Sequence, residues 1–122
     1  MRKTAKFLTT ASAALMLLGT AALTPTTAMA VDDELAAAGK KVAENRKKGN
    51  CFTCHDYTGA HLAGNMGPPL TGVSKRLSRQ QIFNQIFDAT KANPNTTMPP
   101  FGKHEVLSKK EINAITEWVL TL

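Results

Sequence analysis

Three stretches of the chain repeat apolar residues at the spacing of a helix, and none alternates them convincingly at the spacing of a strand. In the first, Leu35, Ala38 and Val42 fall at i, i+3 and i+7 behind Asp32, a residue type that caps helix N-termini, and Gly49-Asn50 supplies a stop. In the second, Ile82, Phe83, Ile86 and Phe87 line one face. Ser78 to Gln81, just ahead of them, has the form in which the cap and the third residue bond each other's backbone. The third stretch repeats that box at Ser108 to Glu111, then sets Ile112, Ile115, Val119 and Leu122 on one side with Trp118 nearby. The pattern predicts an all-α domain with no internal repeat and no dividing linker. Residues 56–74 and 88–103 carry no such period. Structureless loops of 19 and 16 residues are uncommon in a compact domain unless they serve a site, so something other than protein is expected to fill the space between them.

Ahead of the first helix lies a segment of different character. Met1–Lys6 is positive, Phe7–Leu23 is uncharged and rich in Ala and Leu, and Ala28-Met29-Ala30 has the small-x-small form of a cleavage site. That order is the order of a secretory signal peptide, so residues 1–30 are expected to be removed after Ala30 and residues 31–122 to fold in the periplasm. As a membrane anchor, Phe7–Leu23 is at the short limit, and Thr9, Thr10, Ser12, Gly19 and Thr20 weaken it; no membrane attachment is expected after cleavage. Export also changes the meaning of the charge. The whole chain carries 15 basic and 9 acidic residues, net +6, but three of the basic ones lie in its first six positions. Residues 31–122 keep 12 against 9, net +3, and an exported protein meets no chromosomal DNA, so no nucleic-acid partner is expected. A domain of 92 residues has a marginal core and often needs a staple.

The two cysteines point to that staple. They sit in Cys51-Phe52-Thr53-Cys54-His55, where thiols at i and i+3 lie on one side of a helical turn and an imidazole follows at once. This is the signature of covalent haem c attachment: both sulfurs can bond the vinyl carbons of haem while the histidine reaches the iron. Other uses of such a pair fit less well. A thioredoxin-like motif needs a βαβ context, a zinc site needs four good ligands, and a disulfide across two residues closes too small a loop to stabilise much.

From this motif onward the sequence resembles the class I cytochromes c, over nearly all of residues 31–122. The resemblance implies an all-α fold of three to four helices wrapped around one covalently attached haem c, bound through Cys51 and Cys54 with His55 on the iron. Gly67-Pro68-Pro69-Leu70-Thr71-Gly72 matches the family segment that sets a proline carbonyl against the iron-binding histidine. Pro68 stands at that position, and a bond from His55 Nδ1–H to its carbonyl would fix the tautomer and the ring. For the opposite face of the iron the candidates are Met66, Met98, His61 and His104. Met98, in Asn95-Thr96-Thr97-Met98-Pro99-Pro100-Phe101-Gly102, matches the family's methionine ligand; Met66 and His61 share the loop that must deliver Pro68, and His104 is the competitor.

Within that class, the stretches RKKGNCFTCH, AGNMGPPL and NPNTTMPPFGKH together are similar to the SoxX family of periplasmic sulfur oxidation. This implies a subunit that takes electrons from a SoxA-type dihaem or monohaem cytochrome while thiosulfate is joined to the SoxYZ carrier cysteine, and that hands them to a downstream cytochrome or oxidase. Both cysteines are then spent on haem, which leaves this chain no sulfur for the thiosulfotransferase chemistry itself; it would not be catalytic alone. A free-standing class I cytochrome shuttling to a terminal oxidase or peroxidase uses the same haem chemistry. Lys40, Lys41, Arg46, Lys47 and Lys48 before the motif, with Lys75, Arg76 and Arg79 after it, either steer an acidic redox partner or are solvated helix faces. The tail Trp118-Val119-Leu120 belongs either to a partner interface or to the core.

Overall fold

The computed structural model describes residues 30–122, so the expected signal peptide lies outside the described residues except for its final alanine. Three α-helices, α1 (Asp33–Glu44), α2 (Arg79–Phe87) and α3 (Lys109–Leu120), are joined by stretches that contain three single 3-10 turns, Cys51–Thr53, Val73–Lys75 and Ala89–Lys91. No strand occurs among the described residues. The long stretches are therefore less irregular than their composition predicts: each carries one 3-10 turn.

The helix starts follow local chemistry. Asp32 accepts from the Leu35 amide at 2.9 Å, and both boxes, Ser78 with Gln81 and Ser108 with Glu111, close in both directions. α1 stops at Glu44, five residues ahead of the Gly49-Asn50 stop, because the chain turns at Asn45 and the Gly49 amide bonds back to the Val42 carbonyl. The face of α1 that enters the core is also displaced by one residue from the expected stripe. Ala36, Gly39 and Ala43 are buried, whereas Leu35 and Val42 are half-buried and Ala38 is exposed. Close approach explains the shift. α1 and α3 form the most extensive helix contact, and a Cβ on Gly39 would stand 1.9 Å from the Ala114 carbonyl oxygen, so only the small face of α1 can lie on α3.

α3 supplies more of the core than any other element, through Ile112, Ile115, Trp118 and Val119, all buried, with Leu120 half-buried. Trp118 takes the ring of the buried Tyr57 edge-on, with centroids 4.9 Å apart, and the Tyr57 hydroxyl donates to Glu44. This packing places Trp118 and Val119 inside the domain rather than at a partner surface. Arg79 of α2 pairs with Glu117 of α3, whose carboxylate also accepts from the Asp32 amide, so one buried acid joins the starts of α1 and α2 to the last turn of α3.

Candidate functional site

The helices leave a cavity of about 920 Å³, within the range of small-molecule and cofactor sites. It is lined by the Cys51–His55 segment, by residues 66–73 and by Met98, Pro99 and Phe101, with Ile82, Ile86, Ile115 and Trp118 adding apolar side chains from the helices. The two aperiodic stretches of the sequence are thus walls of a single space.

The segment that bears the cysteines is wound tightly. Asn50 adopts the left-handed conformation, φ 49°, and turns the chain into the 3-10 turn, where the His55 amide bonds to the Cys51 carbonyl at 2.9 Å. Both cysteines line the cavity, and they are not joined to each other in a disulfide. Burial pushes the Cys51 thiol up to about 11, with the neighbouring Cys54 adding to the rise and a backbone hydrogen bond opposing it.

Residues 64–70 are laid against this segment by backbone bonds: Gly64 N to Phe52 O, Gly67 N to Cys54 O and Leu70 N to Asp56 O, each 2.8 Å. The Pro68 carbonyl thereby comes to 2.7 Å from His55 Nδ1. A carbonyl only accepts, so Nδ1 carries a proton, and in the neutral ring this tautomer leaves the lone pair on Nε2. Gly67 makes the approach feasible, since a Cβ there would lie 2.4 Å from the imidazole Cε1.

Cys51, Cys54, His55, Pro68 and Met98 therefore share one cavity, with Met66 also at its wall but 69% exposed. His61 and His104 are exposed and do not line it. Of the basic residues, Lys48 pairs with Glu111, Arg79 with Glu117 and Lys40 with Glu44, so part of the expected ring is committed to internal pairs; Arg46 lies over the Phe52 ring at 5.5 Å. The sequence pattern marked Asn50 only as part of a helix stop, not as a residue of the site. Its Oδ1 is buried without a hydrogen-bond partner on the cavity wall, and an Asn directly before the first cysteine, a type that tolerates left-handed backbone, was the available signal.

These residues fit haem c. Two cysteines three residues apart, an imidazole whose Nδ1 is already engaged, a thioether on the same cavity and a large apolar volume are what a covalently attached iron porphyrin needs.

Comparison with known proteins agrees. The model of the family described as "Cytochrome C oxidase, cbb3-type, subunit III" matches residues 34–119. A chain in the crystal structure of SoxXA from P. pantotrophus superposes with a TM-score of 0.65 at 20% identity, covering 70% of this chain and 80% of that one, which shows a shared fold. An uncharacterized lipoprotein of Aquifex aeolicus (strain VF5) is 35% identical over 75 residues, 60% of this chain; the match takes in 36% of that relative's own length, little more than a third.

Proposed function

Because this chain belongs to the cytochrome c oxidase, cbb3-type, subunit III family and is a monohaem electron-transfer cytochrome with covalently bound haem c, we propose that it is the electron-accepting, SoxX-type partner of a SoxA-type cytochrome. In this role it works in the periplasm after cleavage behind Ala30 and takes, one at a time, the electrons released when thiosulfate is joined to a carrier-protein cysteine. The bound haem supplies a reversible one-electron iron couple. The chain's own residues do the rest. Cys51 and Cys54 would hold the group by thioether bonds, the Pro68 carbonyl holds the His55 proton on Nδ1 so that Nε2 would be offered to the iron, and Met98, on the same cavity, would offer a neutral thioether. The supporting observation is the 2.7 Å contact of His55 Nδ1 with Pro68 O, on a cavity that Met98 also lines.

Oxidised protein is expected to show a near-infrared sulfur-to-iron charge-transfer band, absent in Met98→Ala; persistence of the band in that variant transfers the role to another residue. Mixed with a SoxA-type subunit and the thiol carrier, its haem should become reduced only when thiosulfate is added. Unaided thiosulfate turnover by the isolated chain overturns the acceptor role. The family description, which names an oxidase subunit, favours a second reading as a free-standing shuttle to a terminal oxidase. A shuttle is monomeric and docks transiently and salt-sensitively, whereas a subunit co-purifies through an interface of standard size or more.

A further inference from the structure

The stretch that carries Met98 is fastened to the protein at its base. Every hydrogen bond of residues 93–100 stays within 89–104: Asn95 N bonds Asn93 Oδ1 at 3.0 Å, Met98 N bonds Thr96 Oγ1 at 3.1 Å, and the His104 amide bonds the Pro100 carbonyl at 3.0 Å. These bonds shape the tip and do not tie it to the helices. The ties lie where the stretch leaves and rejoins the body. The Phe87 carbonyl, at the end of α2, accepts from both Gly102 N at 3.1 Å and Lys103 N at 3.0 Å. Gly102 permits this closeness, since a Cβ there would stand 2.1 Å from the Phe87 ring. The next residue, Asp88, has a side chain only 4% exposed. Its Oδ1 accepts from the Thr90 amide at 3.2 Å and from the Thr90 hydroxyl, while Oδ2 faces Lys103 Nζ at 3.6 Å. One carboxylate thus joins the first turn of the stretch to its last residue.

We propose that Asp88 is a positioning residue for the Met98 sulfur: with Lys103 it latches the base of the strap, and the latch sets how often the sulfur leaves the cavity. The inference rests on the reading of Met98 as a ligand. Met98 and Phe101 of the strap pack against the core, but its hydrogen bonds to the body lie only at its base, so its release is a local opening whose frequency follows these few contacts rather than the stability of the whole domain. The carboxylate at that base is buried, so leaving it without its Thr90 and Lys103 partners costs more than losing an exposed pair would.

The test uses the oxidised holoprotein, with imidazole displacing the methionine and the near-infrared band reporting its loss, while amide exchange is followed at Gly102 and Lys103. Asp88→Ala should raise the displacement rate about tenfold, Lys103→Met should raise it less, and the double variant should not exceed Asp88→Ala, because both remove one interaction. Exchange at the two amides should quicken in the same order. Arg79→Gln, which breaks the α2–α3 pair away from the strap, should loosen the domain without this acceleration. The latch is overturned if Asp88→Ala is displaced at the wild-type rate, or if Arg79→Gln matches it. If Asp88→Ala does not fold, Lys103→Met, which alters a side chain that is 56% exposed, carries the same test. Absence of the band in wild type would instead overturn the reading of Met98, and amide exchange would still decide the latch.

Discussion

The two walls of the cavity are held in opposite ways. On the histidine side, residues 64–70 are bonded backbone to backbone onto the cysteine segment at three points, and Gly67 lies directly against the imidazole. On the methionine side, residues 93–100 bond only within their own stretch, and the wall is secured where it begins and ends. The imidazole is therefore placed by the fold and the thioether by a strap. A cofactor ligated by both, as proposed, would have one ligand that moves only if the domain deforms and one that moves with a local opening.

The change that removes the distinction altogether should have the largest effect. A Cys51→Ser, Cys54→Ser double variant loses the covalent anchor, so its haem should be extractable by acid and organic solvent and its far-ultraviolet helix signal should fall sharply; wild-type haem should stay with the denatured chain. A small core that depends on its cofactor has little else to hold it. Next in size is a change to the rigid wall alone. Gly67→Val puts side-chain atoms where His55 stands, and such overpacking should cost about 1–3 kcal/mol in denaturant unfolding. Met98→Ala, on the strap, should leave stability much closer to wild type while changing the spectrum. Equal destabilisation by the two variants would contradict the contrast.

The smallest effect sharpens how the rigid wall is anchored. Lys48, three residues before Cys51, pairs with Glu111 at the start of α3. That ammonium first, then the Ser108 amide and hydroxyl, lower the Glu111 carboxyl from 4.5 to about 2. Because the folded value is depressed, the contribution is present in full above about pH 4.5 and is lost as pH falls toward 2. The unfolding midpoint of wild type should decline across that window, and Lys48→Met should flatten the decline. An unchanged slope would show that the Ser108 cap alone sets it.

What could be read in the sequence was what depends on neighbouring residues. Both capping boxes and the apolar faces of α2 and α3 are local patterns, and each lies within a single turn or helix. The cysteine-histidine motif is equally local, and the resemblance it opened led to the all-α haem fold. What stayed hidden depends on distant partners. The stripe on α1 was expected on Leu35, Ala38 and Val42 because periodicity weights large apolar residues, whereas the contact with Ala114 selects small ones. Arg79 and Lys48 looked like parts of a surface ring because their acids, Glu117 and Glu111, are 38 and 63 residues away. Asp88 and Lys103 bracket a stretch whose closure no local rule predicts.

The docking of α1 on α3 has a consequence for how the molecule assembles. These helices flank residues 45–108, so their contact closes a ring through the chain that includes both cavity walls. Closing a long ring costs chain entropy and slows folding in proportion to how non-local the contact is. A haem attached to Cys51 and Cys54 would gather both walls of that ring around itself and so shorten the length of chain left to close before the first helix meets the last.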